Sequence, residues 1–132
     1  MPASGRITIV SDFSPKELLS VAQEVADDSG CRTDDLGGER RGFVIRSVKL
    51  DPALYTPITL MRMATDSMRA HMDVEIFADR TKAGDGRLTL DWVENRNPMQ
   101  PRMVEKFAES LADEIEDRIE DDGGDVISSD SE

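Results

Sequence analysis

Residues 72–121, MDVEIFADRTKAGDGRLTLDWVENRNPMQPRMVEKFAESLADEIEDRIED, decide the fold, because two strand patterns and a helix pattern follow one another there. Apolar residues first alternate with polar ones, at Met72, Val74 and Ile76 and again at Leu88, Leu90 and Trp92. Such period-two alternation is typical of strands with one buried face. The glycine-containing turn sequence at 81–86 lies between them and predicts a hairpin.

The spacing of apolar residues changes to three and four after the hairpin, and a helix is predicted from about Pro101 onward. Its apolar stripe comprises Met103, Val104, Phe107, Ala108, Leu111, Ile115 and Ile119. Because an isolated hairpin is only marginally stable in water, we expect this helix to cover the apolar face of the hairpin. Gly123 and Gly124 are expected to end it.

The N-terminal part of the chain predicts a strand at 6–10 and then a helix from 15 to about 28. Ser14 and Glu17 have the spacing of a capping box, in which each side chain bonds the backbone N–H of the other residue. Gly30 is suited to the left-handed conformation that ends many helices.

The remaining segments complete an α+β domain. The polar stretch 31–42 is predicted to be a mobile loop, 43–50 a strand, and 57–69 a helix, although alternation at its start leaves a strand open. The predicted order is β-α-β-α-β-β-α, a small, mostly antiparallel sheet packed by an N-terminal helix and a long C-terminal helix. We expect one domain at 1–122 and an acidic, flexible C-terminal tail at 123–132.

The net charge of −12 is concentrated at one end of the chain. Residues 1–108 carry 17 acidic and 15 basic side chains, whereas residues 109–132 carry 11 acidic side chains and only Arg118. A strongly negative chain repels nucleic acid, so direct binding to DNA or RNA is disfavoured. The sequence also lacks the roughly 18 consecutive apolar residues of a membrane span and a secretion signal.

The sequence shows no assembled catalytic or metal-binding pattern, and we therefore expect no enzyme activity, metal or cofactor. Its only cysteine, Cys31, and its only histidine, His71, are the one conceivable thiol dyad, but ordinary structural roles are favoured. The acid-rich segment 121–125 lacks the full ligand pattern of a calcium loop. With a single cysteine, a cytoplasmic or virion location fits best.

Acidic residues share one side of the last helix and are the candidate partner-binding residues: Glu109, Asp113, Glu116, Asp117 and Glu120. They are interpreted either as a solvated outer face or as a docking surface for a protein with a basic face. Arg40 and Arg41 are possible additional contacts in the polar loop.

Three functional hypotheses follow. The leading one is a non-enzymatic structural or protein-interaction subunit, forming a homo-oligomer or part of a larger assembly such as a virion or tail connector. The second is an acidic inhibitor that mimics DNA. The third is a small-molecule-binding domain with a pocket between the sheet and the last helix, lined by Met72, Trp92, Met103 and Phe107. The strand-turn-strand-helix ending occurs in many folds and resembles no family in particular.

Overall fold

The computed structural model describes residues 3–37, 41–49, 69–94 and 103–131. In these ranges the chain forms six strands and two helices, which confirms the α+β class. In chain order they are β1 (Ala3–Ser11), α1 (Pro15–Asp28), β2 (Cys31–Asp35), β3 (Gly42–Lys49), β4 (Arg69–Arg80), β5 (Gly86–Glu94), α2 (Met103–Asp121) and β6 (Val126–Ser131). The described strands form one antiparallel sheet in the order β2-β3-β4-β5-β1-β6.

The predicted hairpin is confirmed as β4 and β5. Ile76 pairs with Leu90, and both side chains are fully buried on the face of the sheet that carries the helices. At the turn, the N–H of Thr81 donates to the carbonyl of Asp85 over 2.9 Å. Gly84 has a φ of 93°, which a residue with a side chain rarely adopts, so glycine is required by the turn itself.

The predicted helix at 15 to about 28 is confirmed as α1, with its capping box. The Oγ of Ser14 accepts from the N–H of Glu17, and Oε1 of Glu17 accepts from the N–H of Ser14, both over 3.2 Å. Gly30 follows the helix with a φ of 76°, as predicted from its position. The buried stripe of α1 comprises Leu18, Val21, Ala22, Val25 and Ala26.

Both helices pack on the same face of the sheet. α1 lies over β2, β4 and β5, and α2 lies mainly over β1 and β5, with further contacts to β4 and β6. The buried residues of α2 are Val104, Ala108, Leu111, Ala112, Ile115 and Ile119, in line with the predicted stripe. Trp92 packs on Gly5 of the neighbouring strand, so closely that a Cβ at Gly5 would overlap with the indole ring. One continuous core therefore fills the space between helices and sheet.

The predicted mobile loop at 31–42 is wrong over Cys31–Asp35, which form strand β2. Its alternation was concealed because the residues that turn inward, Cys31 and Thr33, are small or polar. Cys31 pairs with Val48 and packs against the core, whereas Asp34 and Asp35 are exposed. A polar strand of this kind is stabilised by its backbone pairing with β3 more than by burial.

The predicted flexible tail at 123–132 is wrong over Val126–Ser131, which pair with β1 as strand β6. Gly123, with a φ of 90°, reverses the chain after α2, and the N–H of Gly124 donates to the carbonyl of Ile119 over 2.9 Å. The N–H of Asp125 then donates to Oδ1 of Asp12 over 2.8 Å, which aligns the following residues with β1. The predicted helix stop is thus confirmed, and it directs the chain back to the sheet.

Two predictions concern residues outside the described ranges. The helix expected at 57–69 lies outside them except for Arg69, with which β4 begins. The start of the last helix near Pro101 also lies outside, because α2 is described from Met103.

Candidate functional site

The outer surface of the two helices, which we call the helix layer (α1 and α2), is the candidate interaction surface. The helices are joined at this surface by Arg118, whose Nη2 lies 3.1 Å from Oδ2 of Asp28 and whose Nη1 lies 3.5 Å from Oε2 of Glu24. A weaker hydrogen bond of 3.5 Å connects the Oγ of Ser29, just after α1, to Glu114. The acidic residues of both helices therefore form one surface.

The helix layer carries a large excess of negative charge. α1 has four acidic side chains and one basic, and α2 has eight acidic and two basic. Glu109, Asp113, Asp117 and Glu120 are exposed, and Glu116 is half-buried. Within the described part of the chain, none of these five predicted site residues forms an ion pair with another described residue.

Arg118 compensates an unfavourable charge at the end of α1. Asp27 and Asp28 lie in the last turn of α1, which has no basic residue, at the negative end of its helix dipole. The guanidinium of Arg118 supplies the missing cation from α2. The hydrogen bond with Asp28 and the attraction of Asp28, Glu24 and Asp122 together raise the pKa of Arg118 above its ordinary value.

The opposite face of the sheet carries charges that are paired. Three ion-pair groups lie there: Arg6 with Asp91 at 3.0 Å, Arg46 with Asp73 at 2.8 Å and Asp34 at 3.2 Å, and Arg87 with Asp79. The hydrogen bonds that Arg46 donates to Asp73 and then to Asp34 raise the pKa of Arg46, and the hydrogen bond that Arg87 donates to Asp79 lowers the pKa of Asp79. Among the described residues, the helix layer is thus strongly acidic, whereas several charges on the other face of the sheet form ion pairs.

Cys31 and His71, the conceivable thiol dyad, lie on strands that are not neighbours in the sheet. Cys31 begins β2 and His71 lies on β4, with β3 between them. Ser47 of β3 pairs with His71, whereas Val48 pairs with Cys31, so the two residues are also one register step apart. Two strand spacings correspond to about 10 Å across the sheet.

In residues 3–37, 41–49, 69–94 and 103–131, no three His, Cys, Asp or Glu side chains converge in a way that could hold a metal ion. Over the same ranges, neither helix has the length and apolarity required to cross a bilayer. Asp121 and Asp122, which the sequence placed in an acid-rich segment, are exposed at the end of α2.

Three of the four residues suggested for a ligand pocket take part in the core. Trp92 and Met72 are 4% and 3% exposed, and both belong to the same buried cluster as Ala108 of α2. Phe107 is half-buried against that cluster, and Met103 begins α2. The structure thus gives Met72, Trp92 and Phe107 a packing role.

Of the two arginines suggested as loop contacts, the structure describes only Arg41. Arg41 is exposed, and its carbonyl accepts from the N–H of Ala78 over 3.3 Å, which extends the pairing of β3 with β4. Arg40 lies outside the described residues.

Sequence reasoning missed the contribution of α1 to the helix layer. Glu24, Asp27 and Asp28 are exposed beside α2, although the sequence interpretation placed the acidic surface on the last helix alone. A signal was present, because acidic residues at a helix C-terminus are destabilising without a cation nearby. The cation that approaches these acidic residues is Arg118 of α2, and its position depends on how the helices pack, which the local sequence pattern does not specify.

The chain matches no known protein-family model, and a comparison with curated proteins finds no match. The geometry of its own residues therefore carries the functional interpretation.

Proposed function

We propose that the protein is a non-enzymatic interaction subunit that binds a basic partner protein through the helix layer. The observation that supports this most directly is the set of five α2 carboxylates without an ion pair in the described chain, beside further acidic residues of α1. Mutual repulsion of like charges at four-residue spacing destabilises a helix slightly, and a basic partner would relieve it. Charge complementarity of this kind increases the association rate and selects partners.

A matched pair of triple variants tests the proposal. The first variant, Glu109→Gln with Asp113→Asn and Asp117→Asn, removes three negative charges from α2. The control, Asp35→Asn with Glu75→Gln and Asp85→Asn, removes the same charge from strands β2 and β4 and the hairpin turn. Binding to a defined basic probe, cytochrome c, is measured by calorimetry at low and high salt.

We expect the α2 variant to weaken binding of the probe strongly and the control to weaken it only slightly. Binding of the unsubstituted protein should fall steeply with salt, since exposed charges are screened. Equal losses in the two variants would show that only the net charge matters, and this would contradict a specific site in the helix layer.

The proposal includes a place for the chain in a homo-oligomer or a larger cytoplasmic or virion assembly. The small domain and the segregation of its charge support this part. Light scattering and native mass spectrometry of the full chain test it, and a strict monomer at high concentration without a bound partner would count against it. An acidic inhibitor that mimics DNA would use the same helix layer, and duplex DNA would then compete with the chain for its partner.

A further inference from the structure

Strand β6 is the outermost described strand at one edge of the sheet, beyond β1. Val126 is half-buried, whereas Ile127 and the four residues after it are exposed. On an edge strand, alternate residues direct their backbone N–H and C=O groups away from the sheet, and another extended chain can pair with them. Among the described residues, no strand pairs with the outer edge of β6.

Ile127 gives this edge an apolar contact. At 55% it is the only large hydrophobic residue among those described that is classed as exposed. The register shifts at this point, since Ser11 pairs with Val126 and Val10 pairs with Ser128, so Ile127 is the extra residue of a bulge. From Ser128 to Ser131 the pairing with β1 is regular, and none of these residues is a proline or a lysine that would block the edge.

The opposite edge of the described sheet is less open. β2 has 5 residues, whereas β6 has 6. The side chain of Gln23 on α1 donates to Oγ1 of Thr33 over 3.2 Å, so α1 reaches this edge. Of the two edges, β6 therefore offers the longer and less covered strand.

The charged residues around β6 favour one kind of pairing partner over another. Asp130 lies on the strand, Asp125 immediately precedes it, and Glu120, Asp121 and Asp122 are exposed at the adjoining end of α2. A second copy of this chain would bring the same acidic groups and a net charge of −12 to the edge. An extended segment with basic side chains would instead be attracted to it.

We propose that β6 binds an extended basic segment of a partner protein by strand addition, with an apolar side chain of that segment on Ile127 and a basic one beside Asp130. Backbone hydrogen bonds would supply affinity, and these two side chains would supply specificity. This site is distinct from the helix layer, and it does not depend on the function proposed for that layer.

The probe is a synthetic peptide of roughly eight residues, the length of an ordinary strand, in which lysine alternates with valine. Its affinity is measured by fluorescence anisotropy, and its position by amide shifts and hydrogen exchange of the isotope-labelled full chain. The control peptide has the same side chains but carries N-methyl groups on alternate amides, which removes backbone donors and keeps the charge.

We expect the probe to slow exchange in β6, and the N-methylated peptide to lose most of its binding. Asp130→Lys, at an exposed position, should weaken binding about fivefold by replacing an attraction with a repulsion. The α2 triple variant should keep the protection of β6, so that failure of the proposed function and failure of this inference are distinguishable. Equal binding of both peptides, amide shifts confined to α2, or a dimer of the full chain that pairs through β6 would each overturn the proposal.

Discussion

Nη2 of Arg118 lies 3.1 Å from Oδ2 of Asp28, and this contact connects the last turn of α2 to the last turn of α1. It places the positive charge of α2 where the dipole of α1 is negative. Among residues 109–132, Arg118 is the only basic residue, so no other side chain in this part of the sequence can replace it.

Replacing Arg118 with glutamine should lower the free energy of unfolding, because the carboxylates at the end of α1 lose their cation. Lys106→Gln is the matched control, since Lys106 is exposed on α2 and forms no ion pair in the described chain. Urea unfolding at low and high salt measures both variants. The deficit of Arg118→Gln should shrink at high salt, and an equal deficit in Lys106→Gln would contradict a specific role of the contact.

Gly5→Ala should destabilise the protein by about 1–3 kcal/mol, because the new methyl group overlaps with the indole of Trp92. Trp92 is the only tryptophan, so its fluorescence reports directly on this contact. Gly86→Ala is the control, since its methyl group would meet the carbonyl of Phe13 instead. Both variants should unfold more easily, but only Gly5→Ala should change the emission of the native state.

Ser14→Ala should cost about 1 kcal/mol of stability, the usual effect of losing an N-cap side chain. The substitution removes the acceptor of the Glu17 N–H at the start of α1. Ser20→Ala, at an exposed position within the same helix, should be near neutral. Denaturant unfolding of both variants measures the difference, and equal stabilities would argue against the capping box.

Asp79→Asn should reduce stability at neutral pH by no more than about 1 kcal/mol, as expected for a solvent-exposed pair. Arg87 lowers the pKa of Asp79 from its ordinary value of 3.8, so the folded protein holds this carboxylate ionised more strongly than the unfolded chain does. The stabilisation is complete above 3.8 and is lost as the pH falls through the lowered pKa. The free energies of unfolding of the unsubstituted protein and of Asp79→Asn, measured from neutral to acidic pH, should therefore converge in acid. A difference in stability that persists in acid would show that the effect of the substitution does not come from the ionised Asp79 carboxylate.

Asp12→Ala should loosen β6 without unfolding the rest of the sheet. Oδ1 of Asp12 accepts from the N–H of Asp125, at the point where the chain returns to β1. Hydrogen exchange of the native protein should show protection at the paired amides of β6, and the variant should exchange faster there than in β5. Unprotected β6 amides in the unsubstituted protein would contradict this role of Asp12.

The strands and helices with strong apolar periodicity were predictable from the sequence. β4, β5 and the stripe of α2 follow from residues such as Val74, Leu90 and Ile115, whose burial decides the conformation of their segments. α1 was also predictable, because the capping residues act locally. In each case, the information lies in side chains close in sequence.

The two strands that were missed are held by pairing with distant segments. β2 and β6 consist mostly of polar residues, and their pairing partners are β3 and β1. The same reason applies to the candidate site. Glu109 and Asp113 were recognisable on one helix, but the approach of Glu24 and Asp28 depends on how α1 and α2 pack against the sheet.

The position of β1 between two strands that come late in the sequence has a consequence for biosynthesis. The first described strand lies between β5 and β6, which are the last two. While the ribosome is still translating the middle of the chain, Ile7 and Ile9 have no neighbouring strand to pair with. Pairing of β1 with β5 closes a loop that contains all the residues between these strands, which carries an entropic cost. Pairing between segments so distant in sequence also slows folding. We therefore expect nascent chains to remain incompletely folded until β5 has emerged, and to be candidates for chaperone binding during that interval.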